Sequence, residues 1–170
     1  MALPSSCVAD TSILIDLWNG GLIRPLLGSI SRVLVPDLLV AEFSMDSSQF
    51  QAMQAWGLRT EPLTGNELAD SMAMAASRTQ VSVYDCSTVV LADRERVAVA
   101  TSSFRHIPDL AASRGVECLG VLRIVDQLVR QAIVSPPDAA CALQTMLRTG
   151  SYLPAEKCDR RIRRWLGGTQ

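Results

Sequence analysis

The sequence predicts an α/β domain in which helices cover a parallel sheet, and two observations carry that expectation. Short β-branched runs alternate with longer helix-like stretches, the pattern of strands joined by crossover helices. A chain of 170 residues, 48% of them hydrophobic, can bury one sizeable core and has little material for a second. One domain over residues 1–170 is therefore expected.

Taken in order, Cys7 to Ala9 reads as the first strand and ends at Asp10. Thr11 and Ser12 offer cap chemistry before the apolar helix Ile13 to Trp18, which Asn19-Gly20-Gly21 stops. A helix over Leu22 to Leu27 leads to the strand Arg32 to Val35, and Pro36 stands where proline best opens the helix that carries Glu42. Asp46 to Ser48 reads as a loop, and Phe50 to Ala55 as helical up to Gly57. The alanine- and methionine-rich stretch Gly65 to Arg78 predicts a helix with Asn66 as its cap, its methionines filling the core. Tyr84 to Glu95 predicts another, with Asp85 in the first turn where the helix dipole favours a carboxylate. Val97 to Thr101 is a clear strand. Ile107 to Arg114 fits a helix closed by Gly115, and Glu117 to Leu119 a last short strand. The tail is helical over Leu122 to Ile133, Ala139 to Arg148 and Ala155 to Leu166, with a turn and helix start at Ser135-Pro136-Pro137-Asp138.

The bulk numbers exclude several classes. A net charge of -1 does not make the whole molecule an electrostatic trap for nucleic acid, so any such contact must be local. The five cysteines are widely spaced with no Cys-x-x-Cys pair, which suggests neither a disulfide framework nor a structural zinc site. No stretch approaches the run of about 20 apolar residues that spans a bilayer, and Met1 to Ser6 lacks the pattern of a signal peptide. A cytoplasmic protein with no membrane partner is expected.

Three acids carry the chemistry. Asp10 lies where the first strand meets the next helix, the edge of a parallel sheet at which ligands bind. Each acid has a bland explanation: Asp10 as a helix cap, Glu42 as a solvated helix residue, Asp85 as a first-turn acid. Their convergence argues for more, because all three adjoin strands whose carboxyl ends point the same way. Clustered carboxylates repel unless a cation neutralises them, and Mg²⁺ or Mn²⁺ prefers oxygen ligands. Such an ion activates water and stabilises charge on a phosphodiester. With His106 the only histidine, little scope exists for histidine-pair chemistry.

At these residues the sequence resembles the PIN-domain nucleases, including the toxin halves of bacterial toxin–antitoxin pairs. Val8-Ala9-Asp10-Thr11-Ser12-Ile13-Leu14-Ile15-Asp16 is similar to the family's opening motif. Val35-Pro36 followed by Glu42 is similar to the second, and Asp85 with Ala92 on its helix and Val97 to Thr101 behind it to the third. The fourth motif usually places Asp or Asn two residues after the threonine that ends this strand; here Ser103 stands there, within Ser102-Ser103-Phe104-Arg105-His106. A hydroxyl can still hold a water but supplies no charge. The tail is similar to a PIN subgroup in which Gly120-Val121-Leu122 starts a helical extension, ending here near Ser151-Tyr152-Leu153-Pro154.

The resemblance implies a three-layer α/β/α fold, with an α/β core over residues 1–120 and a helical extension over 121–170. It also implies a Mg²⁺- or Mn²⁺-dependent endoribonuclease, an RNA substrate, an antitoxin protein partner in the toxin case, and frequent homodimers. Read from the residues themselves, Asp10 and Asp85 are direct or water-mediated metal ligands, Glu42 is a ligand or water-orienting base, and Thr11 and Ser103 are supporting hydroxyls. Asp16, Asp37, Asp93 and Glu95 are structural, with Asp93 and Arg96 placed to pair.

Rival readings are open. A phosphatase with Asp-x-Asp-x-Thr after its first strand would use Asp10, but Ser12 replaces the second aspartate. A dinucleotide-binding domain would need a glycine-rich turn that Asp10-Thr11-Ser12-Ile13 lacks. A PIN-like module of weak or lost activity, binding RNA or a protein, would explain Ser103. Arg160, Arg161, Arg163, Arg164 and Trp165 form a basic and aromatic patch, either an RNA contact or a solvated helix end with Trp165 packed on the body.

Overall fold

The computed structural model describes residues 3–42, 47–103 and 105–167. Among these, five strands form one sheet in the order β3-β2-β1-β4-β5, with every neighbouring pair parallel. They are β1 (Ser6–Ala9), β2 (Arg32–Pro36), β3 (Leu58–Glu61), β4 (Ala98–Thr101) and β5 (Cys118–Gly120). The connecting segments hold α1 (Thr11–Asn19), α2 (Ile23–Ser29), α3 (Asp37–Glu42), α4 (Ser47–Ala55), α5 (Gly65–Ala76), α6 (Val83–Glu95) and α7 (Ile107–Ala112). The tail holds α8 (Val121–Arg130), α9 (Pro136–Arg148) and α10 (Ala155–Leu166).

The central strands β1, β2 and β4 are apolar apart from Ser6, Arg32 and Thr101 at their ends, because both faces of the sheet are covered. Alternation sends Cys7, Ala9, Val33, Val35 and Ala100 into one core with residues of α1, α2, α8 and α9. Val8, Leu34 and Val99 enter the other, with Cys86, Val89 and Leu91 of α6 and Leu110 of α7. The result is a three-layer α/β/α fold.

One strand escapes the sequence reading. β3 runs Leu-Arg-Thr-Glu, and only Leu58 is buried. It lies at the edge of the sheet, paired with β2 through Val33↔Leu58 to Pro36↔Glu61, where polar side chains are tolerated and the hydrophobic pattern is correspondingly faint. Ser47 and Ser48, expected in a loop, open α4; Asp46 of that expected loop lies outside the described residues. The tail helix α8 stops at Arg130, short of Ile133, because Ala132 takes a left-handed conformation with φ 55°.

Thr64, rather than Asn66, caps α5. Its Oγ1 accepts the Glu67 N–H at 3.3 Å, while the Glu67 carboxylate accepts the Thr64 N–H at 2.8 Å. Two otherwise orphaned donors are satisfied reciprocally. Thr64→Ala should lower stability by about 1 kcal/mol and Thr64→Ser should preserve it, as read from urea denaturation midpoints.

The expected Asp93–Arg96 pair does not form. Arg96 is the left-handed cap of α6 (φ 54°), which carries it out of the helical register, and Asp93 instead accepts from Arg114 at 3.1 Å. Glu95 is structural, binding Arg32 and Arg94. In α10, Arg161 and Arg164 both engage Asp126 of α8, at 2.7 and 3.0 Å. Trp165 packs on the core beneath. The patch is thus a helix face in part neutralised and docked, not a free basic stripe.

Candidate functional site

Sheet topology locates the site before any side chain is considered. From β1 the chain moves out through β2 to β3, and β4 and β5 fill the opposite side. The order therefore reverses between β1 and β4, and in open parallel sheets ligands occupy the crevice at the carboxyl ends of such strands. The pairing Ala9↔Ala100 places Asp10 and Thr101 side by side there.

Asp10 is the N-cap of α1 and only 4% exposed. Its Oδ1 accepts the Ile13 N–H at 2.8 Å, and the Ser12 hydroxyl lies 2.9 Å from both carboxylate oxygens. The Thr101 hydroxyl donates to Oδ2 at 2.5 Å. These hydroxyls are themselves held: Ser12 Oγ accepts the Ser102 N–H at 3.2 Å, and Thr101 Oγ1 accepts the Ser103 N–H at 2.9 Å. The end of β4 is thereby stitched to the start of α1 around one carboxylate.

Asp85 arrives from the other side. A helix that precedes a parallel strand begins at the carboxyl edge, so the first turn of α6 faces the same crevice. Ser82 caps α6 by accepting the Asp85 N–H at 3.0 Å, and the Asp85 carboxylate accepts the Ser82 N–H at 3.0 Å. The capping role and the position at the site coexist.

Asp10, Asp85, Thr11 and Ser103 line one pocket of about 330 Å³ with Ser12, Leu39 and Thr88. Burial pushes the Asp10 carboxyl up to about 6; the hydrogen bonds from Thr101, Ile13 and Ser12 oppose this, and the Asp85 charge adds to it. Glu42 ends α3, which leaves the carboxyl end of β2; its side chain lies outside the described residues, as does Phe104. The described residues contain no group of three acidic, histidine or cysteine ligands; of the three expected acids, Asp10 and Asp85 share the pocket.

The sequence points to Thr11 and Ser103 as the supporting hydroxyls. The hydroxyls that grip Asp10 are those of Ser12 and Thr101. Ser12 is close to Asp10 in sequence, within the same cap of α1. Thr101 is not; its nearness to Asp10 is a consequence of β1–β4 pairing.

The donor set suits a hard divalent cation. The described pocket residues offer carboxylate and hydroxyl oxygens and neither imidazole nor thiolate, and no described lysine or arginine lines the pocket to balance its two acids. A cation would offset both the mutual repulsion and the burial of Asp10.

Residues 6–166 match the family model DUF3368, described as a PIN domain. No significant match to a curated protein was found. PIN domains are generally nucleases that use divalent metals. With the match spanning almost the whole sequence, the chain belongs to the PIN-domain family.

Proposed function

We propose that the protein is a Mg²⁺- or Mn²⁺-dependent endoribonuclease that hydrolyses RNA phosphodiester bonds at the Asp10–Asp85 pocket. The observation that carries the proposal is the buried Asp10 carboxylate sharing an oxygen-lined pocket with Asp85 and no cationic side chain among the described residues. Asp10 and Asp85 would hold the cation. Glu42 would join them or orient the attacking water; it ends α3, the helix that also carries Leu39 of the pocket wall. A bound divalent ion supplies an activated water and charge stabilisation at the phosphate.

The rest of the work falls to the chain. Ser12, Thr101 and the Ile13 N–H hold Asp10 in one orientation. Ser103 presents a hydroxyl where an acid would add a further charge, and Thr11 another oxygen. The toxin role, with an antitoxin protein as partner, and a homodimeric state extend the same proposal on family resemblance. Co-expression with a protein encoded by an adjacent gene should relieve growth inhibition if the toxin role holds.

The proposal is tested by incubating purified protein with labelled structured RNA under Mn²⁺, Mg²⁺ or a chelator. Cleavage under the metals and none under the chelator is expected. Absence of cleavage over a metal series and many RNAs would instead favour the RNA- or protein-binding module that Ser103 suggests.

A further inference from the structure

The helical extension carries the opposite charge to the core. Residues 1–120 hold eight Lys and Arg against thirteen Asp and Glu, and residues 121–170 hold eight against four, seven of those eight cations being arginine. A core of net negative charge with an acidic pocket repels a polyanion, so attraction for one has to come from elsewhere on the chain. Most of the positive excess sits on α10, where Lys157, Arg160, Arg161, Arg163 and Arg164 stand against Glu156 and Asp159.

The inner side of α10 is held firmly. Cys158 is fully buried, Ile162 and Trp165 pack on the core, and Arg161 and Arg164 engage Asp126 of α8. What Asp126 does not neutralise are Arg160 and Arg163. Both are exposed, and neither has an ion-pair or side-chain hydrogen-bond partner among the described residues, although Glu156 and Asp159 stand one turn before them. Residues three apart share a helix face, which groups Arg160 with Arg163 and with the exposed Lys157. Complementing the helix dipole accounts for Arg163 and Arg164 in the last turn, but not for Lys157 or Arg160, which precede it.

This face lies beside the site and outside it. Pro154, which precedes α10, lines with Tyr152 a hollow of about 860 Å³ that shares Ser12, Ile15 and Ser103 with the acidic pocket. At 1.5 Å per residue, Arg160 and Arg163 stand about 8 and 12 Å along the helix axis from its first residue, and neither lines the pocket or the hollow.

We propose that the outer face of α10 is a docking surface for the phosphate backbone of RNA, separate from the acidic pocket, with Arg160 and Arg163 as its principal contacts. The identity of the polyanion rests on the ribonuclease reading. Guanidinium groups donate paired hydrogen bonds to phosphate oxygens, and such contacts supply affinity and register without reading bases. The extension thus holds the RNA against the repulsion of the core, and binding there is independent of sequence.

The test is fluorescence anisotropy of a labelled RNA hairpin over a series of salt concentrations, with chelator present so that no cleavage intervenes. The double variant Arg160→Ala, Arg163→Ala should bind about tenfold more weakly at low salt, and the slope of log affinity against log salt should fall by about two, because two phosphate contacts no longer release counterions. The double variant Arg160→Lys, Arg163→Lys, which keeps both charges, should retain the wild-type slope. Equal binding by the alanine variant and wild type, lost affinity with an unchanged slope, or no binding by wild type would overturn the surface. Equal affinity for labelled polyglutamate would overturn RNA as its occupant in favour of an acidic protein. The nuclease reading fails separately: these affinity and slope changes without cleavage by wild type under any metal would leave the surface standing and remove the enzyme. Cleavage by wild type with unchanged binding by the alanine variant would do the reverse.

Discussion

Asp10→Asn is expected to abolish RNA cleavage, with a loss of at least about a thousandfold, equivalent to about 4 kcal/mol of transition-state stabilisation. The protein should remain folded. An asparagine oxygen can still accept the Ile13 N–H and so preserve the cap of α1, and its amide nitrogen can donate to Thr101 Oγ1, which now lies 2.5 Å from Oδ2. What the variant lacks is the negative charge around which Ser12, Thr101 and Asp85 are arranged. Initial cleavage rates with Mn²⁺, alongside circular dichroism spectra, check the expectation; persistent cleavage by a folded variant would remove Asp10 from the chemistry.

The same carboxylate gives the second large effect, on stability. Burial raises the Asp10 carboxyl from the ordinary 3.8 to about 6, so between these values the folded protein retains a proton that the unfolded chain has released. Stability therefore falls as pH rises through that window, by about 3 kcal/mol in total. Below the ordinary value Asp10 imposes no such cost, and above about 6 the cost is complete. Glu67 and Glu95, whose carboxyls are held below their usual range by Thr64, Arg94 and Arg32, act with the opposite sign, so the informative quantity is the difference between wild type and Asp10→Asn. In chelator the variant should become progressively more stable than wild type as pH rises through the window. Divalent cation, by favouring the ionised carboxylate, should shrink that difference. Parallel stability curves for the two proteins would contradict the raised value.

The sequence made the central sheet readable because β1, β2 and β4 are short apolar runs buried on both faces, and that composition has few other uses. It left β3 unread because an edge strand needs only Leu58 inside and carries Arg59 and Glu61 without cost. The same asymmetry applies at the site. Asp10, Asp85 and Ser103 stand out by their placement relative to predicted strands and helices, and the structure sets all three in one pocket. The Thr101–Asp10 bond spans 91 residues and follows from strand pairing, which local pattern does not specify. The Asp93–Arg96 expectation failed for a related reason: helical spacing predicts a pair only while the helix continues, and Arg96 has already left it. Tyr152 is visible in the sequence as a residue near the end of the family's helical extension, but its exposure and its place in one hollow with Ser103 are tertiary facts.

Calorimetric titration of Mn²⁺ into wild type and Asp10→Asn at neutral pH tests most directly whether Asp10 and its neighbours form a divalent-cation centre. A saturable site in wild type, weakened at least about tenfold in the variant, is the predicted result. Superimposable isotherms for the two proteins, or no binding by wild type, would contradict it.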